Sequence, residues 1–532
     1  MDTYQNIIIG SGPSGSTAAH DIIKFGKQAL MLDIGNVLEE ENDSIKNEYL
    51  NNRNKENFLK QIRKKKKINS DYKNKNLKFP FGSDYVFRKN SFDKINSSEN
   101  IDFITSNARG GLSNIWGTMV SPFYKKDIDH WDVSYDDFYS ELENIEKIIP
   151  IASSDDNLQK FFTINFGKKH NFNLSSNAFD FYSSLNKKSK DLNLNGIYFG
   201  RSKLAIGNYY SHEKLACQEC GLCHQGCPFD CMYSSDHLLS KIKSNHLFEY
   251  HNNTYVDRIE NQNNINYIYT INIISQKKKI YKTKNIFICA GPISTAAIIL
   301  RSNLLKNNTV KFKESQRFYL PLIKKKLAKN SINQNKNTLS EIYLEINNKE
   351  LCDKSIHIQY YTFIDEILRP FEKFFGRFIY ILPKIFPFLF GRLNILVGYL
   401  NSSYSSEILM TKNFNSNDFL LTCIDNKESK NLINKIINFL KDNIGKDFLF
   451  LKFLTNINLV GSSYHYGSSF PMSKDNKNNE RSTSTVGELS GYSNIYILDA
   501  SILPDMPASP TTLNVCINAS RIIKKLSIEE KI

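Results

Sequence analysis

The run Gly10-Ser11-Gly12-Pro13-Ser14-Gly15 constrains this chain more than any other feature, because of what stands on either side of it. Gln5 to Ile9 is an apolar run of strand length. Ser16 to Phe25 carries Ala18, Ala19, Ile22 and Ile23 at helical spacing, Gly26 ends that helix, and Ala29-Leu30-Met31-Leu32 reads as a second strand finishing on Asp33. Strand, glycine turn, helix, strand and terminal acid, in that order, are the fingerprint of a dinucleotide-binding unit. Gly10 permits the turn, Gly12 lets a pyrophosphate approach the backbone, and Gly15 lets helix and strand pack closely. The helix start, from Ser14 onward, offers unpaired N–H groups, and with Pro13 it presents the positive end of a dipole to phosphates. Asp33 can accept hydrogen bonds from a ribose. The motif by itself does not separate FAD from NAD.

At 532 residues the chain has room for roughly two to four domains or lobes. With 41% hydrophobic and 12% aromatic residues it can bury a large core. A net charge of +15 invites a nucleic-acid or anionic-membrane reading. The densest basic run, Arg63-Lys64-Lys65-Lys66-Lys67, has no interleaved aromatics, and no nucleic-acid motif accompanies it. The charge therefore reads as solvated surface, with no nucleic-acid partner. Met1 to Gln5 lead straight into the first strand, without a basic region, a separate apolar stretch or a small-residue cleavage site, which points to a cytoplasmic protein.

Residues 40–100 are polar, rich in Lys and Asn and poorly periodic, as in a surface excursion. A helical pattern begins near 135 and another at Asp236. Residues 250–290 alternate as strands do, and Asn264 to Ile273 suggests a hairpin or small sheet. Ile286 to Gly291 is a buried strand running into a turn, with a helix from near Ser294. Residues 310–460 mix strand-like and helical stretches without a cofactor motif and are the candidate substrate domain. The chain closes on a helix, Asn514 to Leu526.

Further motifs share one likeness. Arg109-Gly110-Gly111-Leu112-Ser113-Asn114-Ile115-Trp116-Gly117 is a loop of small residues suited to close approach of a flat ligand. With it go Cys289-Ala290-Gly291-Pro292-Ile293-Ser294-Thr295, the segment Ser463-Tyr464-His465-Tyr466-Gly467, and Asn494 to Ser501 followed by Pro504 to Thr512. Together with the amino-terminal glycine turn, these segments resemble the glucose–methanol–choline (GMC) oxidoreductases. The resemblance implies an α/β chain, α+β overall, in which a Rossmann-like FAD-binding domain is joined to an antiparallel-sheet substrate-binding domain. The FAD-binding domain would comprise residues 1–130, 236–310 and 459–532, with a cap and cysteine-rich segment at 131–235 and the substrate-binding domain at 311–458. It further implies FAD contacts from Gly110, Gly111, Ser113, Asn114, Gly117, Ala290, Gly291, Asp499, Ala500 and Thr511.

The implied reaction is oxidation of a CH–OH group on a sugar, polyol or other alcohol. His465 would take the hydroxyl proton while a hydride leaves the same carbon, a task that suits a side chain titrating near neutrality. This sequence departs from the family pattern at one position. Ser509 precedes Pro510-Thr511 where Asn or His is usual, and Asn514 or Asn518 on the following helix are the candidates to substitute for it. Asp33 also stands where Glu is more frequent.

Five of the nine cysteines crowd between 217 and 231. Cys217-x2-Cys220-x2-Cys223-x3-Cys227-Pro228 has the spacing of a bacterial ferredoxin run, whose thiolates hold an iron–sulfur cluster. Structural zinc and plain or disulfide-linked cysteines are the rival readings. Cys223, Cys227, Pro228 and Tyr233 also resemble the cysteine-rich site of certain membrane-linked sugar dehydrogenases of the same family. A cluster would pass electrons singly to a partner protein or quinone, making the enzyme a dehydrogenase rather than an oxidase. A flavin-dependent reductase and a non-catalytic flavoprotein subunit are the other readings.

Residues 371–400 interleave Phe374, Phe375, Phe378, Phe386, Phe388 and Phe390 with Arg377, Lys384 and Arg392, and Pro383 and Pro387 interrupt the run. No spanning helix fits there. A surface lying on a membrane, a buried cap over the active site and a subunit interface are all compatible with it.

Overall fold

The computed structural model describes residues 2–65, 78–92, 94–166, 172–207, 217–329, 331–332, 338–364, 368, 376–413, 418–475 and 479–532. Lys66 and Lys67 of the basic run, and Phe374 and Phe375, lie outside them.

The glycine turn joins β1 (Asp2–Ile9) to α1 (Pro13–Lys24), and β2 (Ala29–Leu32) follows. Ile7 to Ile9 pair in parallel with Leu30 to Leu32 on one side and with Ile286 to Ile288 on the other. A strand flanked on both edges and covered on both faces has no solvent side, which is why its end reads Ile-Ile-Ile and is 0–3% exposed. Phe248–His251 extends the sheet in parallel beyond β2, and Ile495–Ile497 adds to Ile286 to Ile288, also in parallel. The hairpin Thr254–Gln262 and Ile265–Asn272 runs antiparallel off the Lys278–Ile288 strand. Seven strands from three remote stretches thus make one sheet. The closing helix, Thr512–Ile528, packs on α1, and the two ends of the chain meet.

A second seven-stranded sheet is antiparallel throughout. Its order is Phe448–Phe450, Arg317–Lys324, Leu393–Tyr399, Ile356–Thr362, Ile342–Ile346 and Ile197–Arg201, with the short strand Asn456–Ile457 also paired to Arg317–Lys324. Strand side chains alternate between faces. Phe318, Leu320, Leu322, Ile358 and Leu396 go to a core shared with the helix Glu428–Ile444. Arg317, Tyr319, His357, Gln359, Tyr361 and Tyr399 take the other face. A third, five-stranded sheet links Tyr466–Gly467, Thr309–Glu314, Glu407–Lys412, Phe419–Ile424 and Ile95–Ser97.

Three expectations change. Residues 40–65 are not an irregular excursion. They form helices Glu40–Asn52 and Lys55–Lys65, which bury Ile45, Tyr49, Phe58 and Ile62 against Phe81 and Phe229. The substrate segment divides between two sheets, and its antiparallel sheet recruits Ile197–Arg201 from the stretch expected to form the cap. Residues 376–390 do not form a buried cap, since Phe378, Phe386 and Phe388 are 60, 53 and 66% exposed. Among the described residues, no helix is long and apolar enough to cross a membrane.

Candidate active site

A cleft with about 1370 Å³ of open space runs from the glycine turn to His465. At its floor the glycines do different jobs. A Cβ on Gly15 would lie 2.0 Å from the Gly10 carbonyl oxygen, and one on Gly10, where φ is +94°, would lie 2.7 Å from the Cys289 oxygen. Both positions are set by packing. A Cβ on Gly12 would meet nothing within 4 Å and would project into unfilled space. Gly12 caps α1 without a side-chain bond, so the first N–H groups of the helix remain available. This cradle has the shape and polarity a pyrophosphate requires.

Asp33 closes the far end. The Ser11 hydroxyl donates to its Oδ2, as does the Tyr250 hydroxyl at 2.9 Å, the Ile34 N–H also reaches the carboxylate, and among the described residues no side chain donates to Oδ1. Burial raises the carboxyl to about 6, opposed by those bonds. Ser11 was not among the expected contacts, yet its Oγ also accepts the Gly110 N–H at 3.0 Å and ties the glycine turn to the 109–117 loop.

That loop is held mostly by its own polar residues. Ser113 donates to the Gly110 carbonyl at 2.6 Å and accepts the Ser235 N–H at 2.9 Å. Asn114 donates to the Arg109 and Gly111 carbonyls, and Arg109 pairs with Asp236. Gly111 reaches the cleft, where its Cβ would lie 3.3 Å from the Gly12 Cα. Gly110, Ser113, Asn114 and Gly117 stand behind the lining as supports. A Gly117 Cβ would lie 3.9 Å from the Tyr361 hydroxyl, the point where this loop meets the second sheet.

Ala290, Gly291, Asp499, Ala500 and Thr511 line the opposite wall. The buried Asp499 carboxylate accepts the Gly291 N–H (2.9 Å), the Thr295 hydroxyl (2.5 Å) and the Ser501 N–H (2.9 Å). It therefore staples the start of helix Pro292–Arg301 to the carboxy-terminal segment.

His465 is fixed by its backbone. Glu314, fully buried, accepts the Gly461 N–H at 2.7 Å and the Ser463 hydroxyl at 2.6 Å. Ser463 Oγ in turn accepts the His465 N–H at 3.1 Å. Tyr464 at φ +61° turns the chain there, a conformation that costs about 1–3 kcal/mol for a bulky residue. The imidazole stacks on Tyr399 with centroids 5.0 Å apart and planes 21° apart. Its Nδ1 is buried and has no hydrogen-bond partner. Burial, with the Arg317 guanidinium nearby, pushes its pKa down to about 3. The ring is therefore neutral, and its Nδ1 is unpartnered.

The other expected catalytic residues part company. Ser509 is buried with its Oγ unpartnered, directly after Ala508, which packs against Ile395, Val397 and Tyr399. Asn514 does not line the cleft. Its amide donates to the Ser121 and Pro510 carbonyls, and its oxygen accepts the Tyr139 hydroxyl at 2.6 Å. Position 514 is the third residue of its helix and faces that network, which gives it a structural role.

The cysteine run lies beside the 109–117 loop. Lys78 donates to the Trp116 carbonyl at 2.8 Å, and the Cys223 thiol lies within its electrostatic reach. Cys217, Cys220, Cys223 and Cys227 are all free and share one apolar cluster beneath the helices of residues 40–65. Backbone N–H groups point at sulfur: Glu219 to Cys217 at 3.5 Å, Cys231 to Cys227 at 3.3 Å, and Leu222 to Cys220. The left-handed residues Glu219, Gly221 and Gly226 make those turns. Burial raises Cys217 to about 11 and Cys223 to about 12. Among the described residues, no group of three or more His, Cys, Asp or Glu is placed to hold a metal ion.

No protein-family profile and no curated protein matches this sequence. Solved structures do. A pyridoxine 4-oxidase from Mesorbium loti superposes with a TM-score of 0.60 at 10% identity, covering 99% of each chain. A formate oxidase superposes with a TM-score of 0.62 at 12% identity, covering 100% of this chain and 99% of the other. The chain shares its fold with these two oxidases. In it the amino-terminal glycine turn and the carboxy-terminal histidine segment border one cleft, which the sequence likeness linked only by their order along the chain.

Proposed function

We propose that this protein is an FAD-dependent oxidoreductase that oxidises a CH–OH group, with His465 as the proton acceptor. The observation that carries this reading is the shared cleft: the open cradle at Gly12 and the unpartnered His465 Nδ1 border the same space. The residues fit the cofactor. The start of α1 and Gly12 would hold the pyrophosphate, Asp33 Oδ1 the ribose, and the wall at Ala290, Gly291, Asp499, Ala500 and Thr511 the ring system. Bound FAD supplies a two-electron acceptor for the hydride. Everything else falls to the chain. Arg317 and burial keep His465 deprotonated, the Tyr399 ring sets its plane, and the Glu314 turn sets its position. The two oxidases that share the fold favour oxidation of a small molecule over inward reduction of a double bond.

The electron acceptor turns on the cysteine run. Four free thiols, three of them met by backbone N–H groups, have the donor chemistry of an iron–sulfur site: burial makes Cys217 and Cys223 hard to ionise without a cation beside them, while the hydrogen bond from Cys231 holds Cys227 below its usual range. This favours a dehydrogenase. The test is anaerobic purification, an absorbance spectrum, metal and acid-labile sulfide analysis, and a panel of alcohols and sugars scored by flavin bleaching. Flavin bleached by an alcohol, with iron and sulfide present, is the expected result. Bleaching with no iron and rapid reoxidation by dioxygen would make the protein an oxidase. A flavin that no alcohol bleaches would remove the reading.

A further inference from the structure

The face of the second sheet opposite its helical core carries a cation, Arg317, close to His465, and among the described residues it is in no direct ion pair. Arg317 and Tyr399 are register neighbours on adjacent antiparallel strands, so their side chains stand side by side, and Tyr399 stacks on His465. The Arg317 guanidinium lies 5.2 Å from the Tyr319 ring centroid and 5.7 Å from that of Tyr464, the residue before His465. Its hydrogen bonds go to neutral acceptors. Nη2 donates to the Ser462 carbonyl at 2.7 Å, and with the Asn458 amide turned to present its oxygen, Nη2 and Nε donate to that oxygen at 2.9 and 3.0 Å. The nearest acid along its strand pair, Glu314, spends its carboxylate on Gly461 and Ser463. Among the described residues, Arg317 is in no ion pair.

A largely buried guanidinium is ordinarily matched by a carboxylate or phosphate, because desolvating a charge without a counter-charge is costly. Here the cation is held in place by neutral groups beside the proposed base, and Glu314 acts on it only at a distance. We propose that Arg317 recognises a carboxylate on the substrate, so that the oxidised molecule is an alcohol that also carries an acid group. The inference rests on the proposed oxidation of a CH–OH group. It also links binding to chemistry. A carboxylate set against Arg317 cancels part of the positive field that holds the imidazole deprotonated, so an acidic substrate makes His465 a stronger base in the complex where it is needed. A neutral alcohol leaves that field in place. The acid group should therefore improve kcat as well as KM.

Two measurements separate this inference from the reading beneath it. The first is thermal shift with benzoate and with benzamide, neither of which can be oxidised, on the wild type, Arg317→Lys and Arg317→Gln. Benzoate alone should raise Tm in the wild type; Arg317→Lys should keep part of that shift and Arg317→Gln should lose it. The second is anaerobic flavin reduction by mandelate against mandelamide, and by 4-(hydroxymethyl)benzoate against its amide. In the wild type the acid of at least one pair should exceed its amide in kcat/KM by about 100-fold, and in Arg317→Gln the ratio should fall toward one. Equal Tm shifts with benzoate and benzamide, or an acid preference that survives in Arg317→Gln, would overturn the assignment. A benzoate shift that depends on Arg317 with no alcohol oxidised would leave the anion site standing and sink the oxidation. Oxidation of neutral alcohols without any benzoate shift would do the reverse.

Discussion

The glycine turn and the face of the second sheet beside His465 are built on opposite principles. At the turn the backbone decides: Gly12 leaves open space beside it, and Gly10 and Gly15 must lack a side chain because other backbone fills the room. On the second sheet, side chains project from alternate positions, Arg317 and Tyr319 on one strand and Gln359 and Tyr361 on another. Backbone contact leaves glycines at fixed spacing, which can be read from one sequence. Side-chain contact leaves only a period of two, which any half-buried strand shares. The difference teaches that a feature built from backbone can be legible where the side-chain face beside it is not.

The sharpest way to break the comparison is within the glycine turn. Gly12→Val should fold normally and bind no FAD, because its side chain points into open space. Gly15→Val should instead destabilise the protein, by about 2 kcal/mol or more, because its Cβ would collide with the Gly10 carbonyl. Flavin occupancy and Tm of both variants check this. Equal loss of stability in the two would erase the distinction between packing and ligand contact.

Next in size is the pH dependence. An ordinary histidine base loses activity as pH falls through about 6.5. The His465 pKa is displaced downward to about 3, so the proton-free ring persists to lower pH and the acid limb of kcat/KM should lie well below 6.5. In Arg317→Gln one source of that displacement is gone, and the limb should move upward. A wild-type limb at 6.5 would mean that the ring is not held in the environment described.

The smallest effect separates ring from hydroxyl at Tyr399. Tyr399→Phe keeps the stack on His465 and should cost less than about 10-fold in kcat, whereas Tyr399→Ala removes the ring that sets the imidazole plane and should cost more. Identical losses in the two would assign the role to the hydroxyl.

What could be read from the sequence follows the same division. The β1–α1–β2 unit, the buried strand at Ile286 and the closing helix are where their patterns place them, since each is a long apolar or periodic run. The helices of residues 40–65 were missed because each buries only two or three side chains, such as Ile45 and Tyr49 or Phe58 and Ile62, in a background of Lys and Asn. Their (i, i+4) spacing was the available signal. Asn514 drew attention through its place after Pro510-Thr511, but sequence alone does not set which way a residue near a helix start points. Arg317 carried one signal, a lone arginine in phase with Tyr319 and set against Phe318, Leu320 and Leu322, and it acquires meaning only once Tyr399 and His465 are brought beside it.

The central claim is that flavin and His465 share one cleft and one reaction. The most direct test is anaerobic flavin reduction by an alcohol that bleaches the wild type, repeated with His465→Ala at matched FAD content. The account predicts full FAD occupancy in the variant and a reduction rate lower by about 10²–10⁴-fold. A variant that retained its flavin and was reduced at the wild-type rate would contradict it.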